Sequence, residues 1–537
     1  MYSFDLMEAF VPEQTDDVIL ETTVGGVLRD RAAAAPDAEA LVEVDSAGQT
    51  GRRWTYGELL NDSQRLAMAL ATRFAKCERV TVWAPNCPEW LLMEYACALA
   101  GLTLVTANPA FQAEELKYVL EQSDSVALFT VESYRGNPMA QIAENACSGI
   151  SEIREIVDLN DDEALHRHGD QMPALPDVTP DDPAQIQYTS GTTGFPKGAV
   201  LHHRGLTNNA RQVGERAEIG SHSVYANYMP MFHTSGCGII ALGCVQAGCK
   251  LLMVHVFDPV AVLRLIEVEK VTVMVGVPTM LVALLETYET EPTDTSSIEM
   301  AISGGSMVAP ELVRRVRDTF GCDFEIVYGQ TETSPVVTQH HRQDSIDDIA
   351  NTVGQPMPQV GISIRSTDAN KVVPIDMVGE ICVRGYCNML GYNGNPEATA
   401  ETIDADGWLH TGDLGAMDRR GYVRVTGRVK EMIIRGGENL FPAEIENVLL
   451  EHPQVAEVAV IGLRDDKWGE IVACCLRPEP GQVADVEDLR RHCRQHLSPQ
   501  KTPVKWFHVE AFPLTGSGKI QKFALQEMVL DGKVVGL

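Results

Sequence analysis

Apolar and polar positions change period several times along the 537-residue chain, and each change predicts a different kind of element. Short runs rich in β-branched residues, Arg79–Trp83, Leu102–Ala107 and Val126–Thr130, predict strands, with Glu89–Ala100 an apolar-rich helix between the first two. Val260–Glu269 has helical period and leads into the strand-like Val271–Val275. This alternation predicts parallel α/β layers. Asn160–Pro183, rich in Asp and Pro, lacks sustained apolar period and predicts a surface connection feeding a strand at Gln185–Tyr188.

After Gly379 the texture changes. Gly379–Arg384, Trp408–Leu409 and Tyr422–Thr426 read as short strands between Gly/Asp turns, an antiparallel β subdomain. Beyond Gly427 the pattern restarts as helix Pro442–Glu451, strands Val455–Leu463 and Glu470–Leu476, helix Val486–Leu497 and strand Val504–Val509. The expected fold is α/β: a large multi-layer N-terminal domain with parallel sheets plus a β subdomain (1–427), a short connection (428–430), and a small α+β C-terminal domain (431–537).

Composition changes this picture in two ways. Forty-three basic residues against 75 acidic give a net charge of −32. That balance argues against nucleic acid and anionic membranes as general partners, and any bound polyphosphate must meet a positive field made locally. The 13 cysteines include no Cys-x-x-Cys pair, and most sit in apolar stretches, as core thiols of a reducing compartment do. Adjacent Cys474 and Cys475 should face opposite sides of their strand. The start of the chain lacks a secretory pattern, and the apolar tracts Gly236–Val245 and Val271–Leu285 are too short or too interrupted to span a bilayer. A cytoplasmic protein with no integral membrane segment is expected; whether it forms a homodimer is left open.

The strongest local motif is Tyr188-Thr-Ser-Gly-Thr-Thr-Gly-Phe-Pro-Lys-Gly198. A strand delivers the chain into a segment with three glycines, four hydroxyl residues and a lysine. Glycines permit close backbone approach, freed N–H groups and hydroxyls can cradle phosphate oxygens, and Lys197 adds charge. It is not a Walker loop, because Lys197 lies between Pro196 and Gly198.

This string resembles the phosphate loop of the adenylate-forming superfamily, which includes acyl-CoA synthetases, peptide-synthetase adenylation domains and firefly luciferase. Further segments match in the family's order. The resemblance implies that Thr189, Ser190, Gly191, Thr192, Thr193, Gly194 and Lys197 bind ATP phosphates. Tyr328-Gly-Gln-Thr-Glu-Thr333 is similar to the second core motif, implying that Tyr328 stacks on adenine beside Gly329, Thr331 contacts phosphate and Glu332 holds Mg²⁺. Gly304 and Gly305 resemble the turn along the nucleotide and acyl site; Asp413, in Gly407–Asp413, resembles the ribose-gripping carboxylate. Arg428 and Lys430 resemble the ribose or phosphate contact and the hinge about which a mobile C-terminal domain turns. Gly436, Gly437 and Glu438 resemble the loop admitting the pantetheine arm, Trp468 the region near which the CoA nucleotide docks, and Lys519 the lysine of adenylation.

The resemblance implies an acid–thiol ligase: ATP and a carboxylic acid give acyl-AMP and pyrophosphate, and coenzyme A takes the acyl group. Catalysis would fall to Lys519, Glu332, Lys197 and the gate residue His233. The acyl pocket would be lined by His233, Gly236, Cys237, Gly304 and Gly329. Small and apolar residues after His233 suggest an uncharged tail with room to extend. The strings Met389–Tyr392 and Met432–Asn439 look most like medium-chain fatty acyl-CoA synthetases. A carrier protein or an amine as acceptor, an alicyclic or aryl acid, a luciferase-like oxidation, and a non-catalytic acyl-nucleotide binder remain alternatives.

Overall fold

The computed structural model describes residues 2–537 apart from Asp16, 170–173, 190–195, Gly437, the side chain of Asn439, Asp466, Pro480 and 515–519. Three sheets build the part before residue 430 and one builds the part after it. In the seven-stranded sheet, Thr103–Thr106, Arg79–Trp83, Ser125–Thr130 and Glu155–Asp158 lie side by side in parallel. Pro183–Thr189 joins them in parallel, then turns back as Lys197–His202, which pairs with the two-residue strand Gly391–Tyr392. The nine-stranded sheet has a parallel centre through Glu39–Val44, Lys250–Val254, Val224–Asn227, Val273–Val275, Met300–Gly304 and Asp323–Gly329, flanked by antiparallel edges. The five-stranded sheet, Phe10–Val11, Val360–Arg365, Gly379–Gly385, Leu409–Met417 and Val423–Arg428, is antiparallel throughout.

The expected strand–helix alternation is present, and the elements start within a few residues of where periodicity puts them. The expected short strand Trp408–Leu409 instead runs over Leu409–Met417, because its buried half pairs with both neighbours. Asn160–Pro183 contains a four-residue helix, Asp162–Leu165, capped by Asp161. The tract Gly236–Val245 forms a π-helix, Ser235–Leu242, running into Gly243–Ala247. Among the described residues, no helix is long and apolar enough to cross a membrane.

In the C-terminal part, Val455–Asp465 and Gly469–Pro478 form a long antiparallel pair, and Gly469–Pro478 also pairs with Ile433–Arg435 and Lys505–His508. Cys474 packs into one apolar cluster with Ile445, Leu489 and Trp506; Cys475 packs into another with Phe512 and Leu525. Adjacent strand residues thus serve opposite faces, as the pleat requires. Eleven of the 13 cysteines are buried, and all 13 are free.

Helix Pro88–Ala100 is buried on every side, starting at Pro88 and closing on left-handed Gly101. It nevertheless carries Glu94. Gln185 Nε2 donates to Glu94 Oε1 at 2.8 Å, and its other oxygen has no partner among the described residues. Burial pushes this carboxyl up to about 8, opposed by the Gln185 bond. Glu325 is built alike, with Gln339 Nε2 donating at 2.6 Å and burial pushing it up to about 8. In the unfolded chain such carboxyls ionise near about 4. Between those limits the folded state keeps protons that the unfolded state releases. The contribution of these two carboxyls to stability therefore falls as pH rises towards 8 and levels off above it. Glu94→Gln should flatten this decline by up to about 1.4 kcal/mol per pH unit. Urea midpoints of wild type and variant across the mildly acidic to mildly alkaline range check it; parallel curves would refute a neutral Glu94.

Candidate active site

The site is built where strands of the two large sheets end. Met300–Gly304 and Asp323–Gly329 are parallel neighbours, with Gly304 opposite Val327, and both run out at their carboxyl ends on one side. Ligands of open α/β sheets collect there. A Cβ on Gly304 would lie 2.4 Å from Val327 O, and one on Gly329 only 1.8 Å from Pro335 O. These glycines let backbone cross backbone. Gly305 follows at φ +77°, a left-handed turn suited to glycine.

Tyr328, Asp413 and Arg428 converge although 85 residues separate the first two. Tyr328 donates its hydroxyl to Asp413 Oδ2 at 2.9 Å. Arg428 Nε lies 3.1 Å from Asp413 Oδ1, and the two residues are cross-strand partners in Leu409–Met417 and Val423–Arg428. Asp413 holds Arg428 above the usual guanidinium range, while burial, then Asp413, push the Tyr328 hydroxyl well up. The turn before Asp413 is fixed by groups the sequence did not single out. Glu380 Oε2 lies 2.8 Å from His410 Nδ1, its Oε1 accepts from Gly412 N at 3.0 Å, and Thr411 Oγ1 accepts from Asp413 N at 3.1 Å.

A second group forms beside it. Thr331 and Glu332 lie buried in a single turn, Thr331–Thr333, directly after strand Asp323–Gly329. Tyr392 donates its hydroxyl to Glu332 Oε1 at 2.8 Å. Lys197 Nζ sits 4.9 Å from the centre of the same ring. Burial raises the Glu332 carboxyl, and the Tyr392 bond opposes that rise.

The phosphate-loop motif is a hairpin connection: Thr189 is paired with Lys197 across its base. The chain continues from there as the strand Lys197–His202. Ser190, Gly191, Thr192, Thr193, Gly194, Gly437 and Lys519 lie outside the described residues.

The acyl-pocket residues fall in and before the π-helix. His233 Nδ1 lies 3.1 Å from Ser235 Oγ, and Cys237 Sγ is 3.2 Å from Gln187 Nε2 on the strand leading to the phosphate loop. A Cβ on Gly236 would lie 2.2 Å from Pro230 O, so smallness there serves a backbone crossing; at Gly238 the nearest atom is 3.8 Å away. A Cβ at Gly238 would meet the Leu206 side chain at ordinary contact distance.

The C-terminal part carries its own cavity, of about 590 Å³. Arg435, Gly436, Glu438 and Trp468 line it, together with Arg490 and Arg494, which the sequence reading passed over. Gly436 N donates to Trp468 O at 2.7 Å, and a Cβ on Gly436 would press on the indole at 3.0 Å. Lys467 Nζ and the Arg435 guanidinium sit 4.9 and 5.6 Å from that ring. Arg490 and Arg494 are four apart on helix Val486–His496, one turn that places both on one face.

Residues 28–393 match the AMP-binding enzyme family and residues 444–519 the AMP-binding enzyme C-terminal domain. The human mitochondrial medium-chain acyl-CoA ligase ACSF2 is 35% identical over 542 residues, covering 94% of this chain and 87% of that protein. ATP-bound MatB from Rhodopseudomonas palustris superimposes with a TM-score of 0.85 at 27% identity, covering 95% of this chain and 99% of that one. The o-succinylbenzoate CoA synthetase MenE from Bacillus subtilis, in complex with its acyl-adenylate intermediate, gives 0.82 at 29% identity, with 94% and 98% covered.

Proposed function

The chain belongs to the AMP-binding enzyme family as an AMP-forming acid–thiol ligase, and from that premise we propose that its acid is an apolar, medium-chain carboxylate and its acceptor free coenzyme A. The observation that carries the adenylation step is the adjoining of two subsites. Tyr328, Asp413 and Arg428 make a ring, a carboxylate and a cation suited to adenosine. Lys197, over the ring of Tyr392, and Glu332, at its hydroxyl, suit the phosphates.

In the first step the bound carboxylate attacks the ATP α-phosphorus and pyrophosphate leaves. The work is positional and electrostatic. Tyr328 orients the base, Asp413 accepts from the ribose hydroxyls, and Arg428, Lys197 and Lys519 carry charge to the transferring oxygens. Glu332 is a buried carboxylate that, among the described residues, meets a tyrosine hydroxyl rather than a close cation, so its oxygen donors fit a hard metal ion. Mg²⁺ held there would neutralise phosphate charge. In the second step the CoA thiolate attacks the acyl carbon and AMP departs.

Two observations support the finer assignment. The cavity around Trp468 offers an indole face for a nucleobase and Arg435, Arg490 and Arg494 for phosphates. That suits CoA's own nucleotide, which the pantetheine of a carrier protein lacks. The medium-chain relative and the apolar segment after His233 favour an uncharged tail. Arg490→Ala and Arg494→Ala should each raise the KM for CoA about tenfold or more, as loss of charge-assisted bonds does, and leave the KM for ATP unchanged. An unchanged KM for CoA in both would turn the reading towards a carrier-protein acceptor. Competition among acetate, octanoate and palmitate, read as thioesters by mass spectrometry, tests the acid: octanoyl-CoA should dominate, and acetyl- or palmitoyl-CoA in excess would refute the chain length.

A further inference from the structure

The phosphate subsite contains a tyrosine that touches both of its opposite charges, and nothing in the chemistry above uses it. Tyr392 lies on the short strand Gly391–Tyr392, opposite Ala199 of strand Lys197–His202. Residues two apart on a strand share a face, so Lys197 is its diagonal neighbour. The strand is tied on all sides. Thr399 Oγ1 accepts from Tyr392 N at 2.9 Å, Gly198 O accepts from Asn393 N at 2.8 Å, and Gln122 Nε2 donates to Asn393 O at 2.6 Å. Met389 N, at the head of the same segment, donates to the carbonyl of Glu332 itself at 2.8 Å. The ring is therefore held by backbone that also holds the carboxylate. Its hydroxyl donates to Glu332 Oε1, and Lys197 Nζ rests over its face.

A flexible lysine and a carboxylate this close to one ring would form a direct pair if the ring were absent. Such a pair would cancel the charges that the nucleotide needs. The aryl spacer keeps them apart, and among the described residues no ion pair joins Lys197 to Glu332. The contact of Lys197 with the ring is weak enough to be exchanged for a phosphate, since a cation on an aromatic face is worth only about 0.5–2 kcal/mol, and the hydroxyl bond takes up only one carboxylate oxygen of Glu332, Oε1.

We propose that Tyr392 is a positioning residue that insulates Lys197 from Glu332, holding one ready for phosphate and the other ready for the metal. This rests on the reading that the ATP phosphates lie between those two side chains.

The test is calorimetric ATP binding by the full-length protein, with and without Mg²⁺, alongside thermal melting. Tyr392→Phe keeps the ring and loses only the hydroxyl. It should match wild type without metal and lose about tenfold of the gain that Mg²⁺ brings, the usual loss for one bond to a charged acceptor. Tyr392→Leu removes the spacer and should weaken metal-free binding as well, because Lys197 then closes on Glu332. Adding Glu332→Gln to Tyr392→Leu should restore the metal-free affinity, since the carboxylate that captures Lys197 is gone. A purely structural defect would not be rescued that way. A double variant no better than Tyr392→Leu, or single variants indistinguishable from wild type in both conditions, would overturn the insulator role. Wild type failing to bind ATP at all would instead overturn the ATP site on which it rests.

Discussion

Lys519→Ala should lower acid-dependent ATP–pyrophosphate exchange by about a hundred- to a thousandfold, the scale of losing a preorganised donor at a charged transition state. Thioester formation from supplied acyl-AMP should stay within about threefold of wild type, because there the phosphoryl chemistry is already complete. The asymmetry matters more than the size, since general damage would depress both half-reactions alike. The flanks of the lysine's segment are well held. Leu514 and Ile520 face each other in an antiparallel bridge. Three residues after Lys519, the half-buried Lys522 pairs with Glu446 at 2.8 Å and Glu431 at 3.1 Å. Glu431 and Glu446 raise the affinity of that ammonium for its proton against the opposing cost of burial, the largest influence on it. The start of the last helix is thereby locked to the residue that follows Lys430. Quenched-flow or isotope-exchange measurement of the two half-reactions checks the prediction; equal losses would remove Lys519 from adenylation.

Lys430→Pro should have the opposite signature: exchange spared, and overall CoA transfer down by about a hundredfold if passage between domain positions becomes rate-limiting. Lys430 is exposed in the single turn Val429–Glu431, between a strand of the five-stranded sheet and Ile433–Arg435 of the C-terminal sheet. Anchors stand on both sides of it. Arg428 is held by Asp413, and Glu431 by Lys522. Only 429–430 lie between these anchors, and there proline would fix φ at about −65° and restrict the residue before it as well. Wild-type overall turnover in the variant would show that no rotation about this point is needed.

Much of this was visible in the sequence because period and punctuation agree. Pro88 and Gly101 bracket an apolar helix, and Pro259 opens another after the capping Asp258. Three strands of the antiparallel β subdomain were visible between Gly/Asp turns, which need glycine's conformations; its other two, Phe10–Val11 and Val360–Arg365, lie outside that stretch. What escaped depends on pairing between distant segments. Tyr392 was readable only as part of a family-like string. Its role appears once a two-residue strand lies on Lys197–His202. Arg490 and Arg494 look like solvated charges on an amphipathic helix until Trp468 is folded over beside them. The same holds for Glu380 and His410, which meet only through the pairing of Gly379–Gly385 with Leu409–Met417. Conversely, Gly304 and Gly329 read as pocket space, but their missing side chains make way for backbone carbonyls. A sequence shows that a residue is small without showing what occupies the space.

The central claim is that ATP is cleaved at its α-phosphorus by a carboxylate whose acyl group ends on coenzyme A. Chromatography and mass spectrometry of a reaction holding the full-length protein, ATP, Mg²⁺, octanoate and CoA test it in one step. The predicted result is AMP, pyrophosphate and octanoyl-CoA in equal amounts, with octanoyl-AMP accumulating when CoA is omitted. ADP with phosphate, or AMP and pyrophosphate formed without octanoate, would contradict the account.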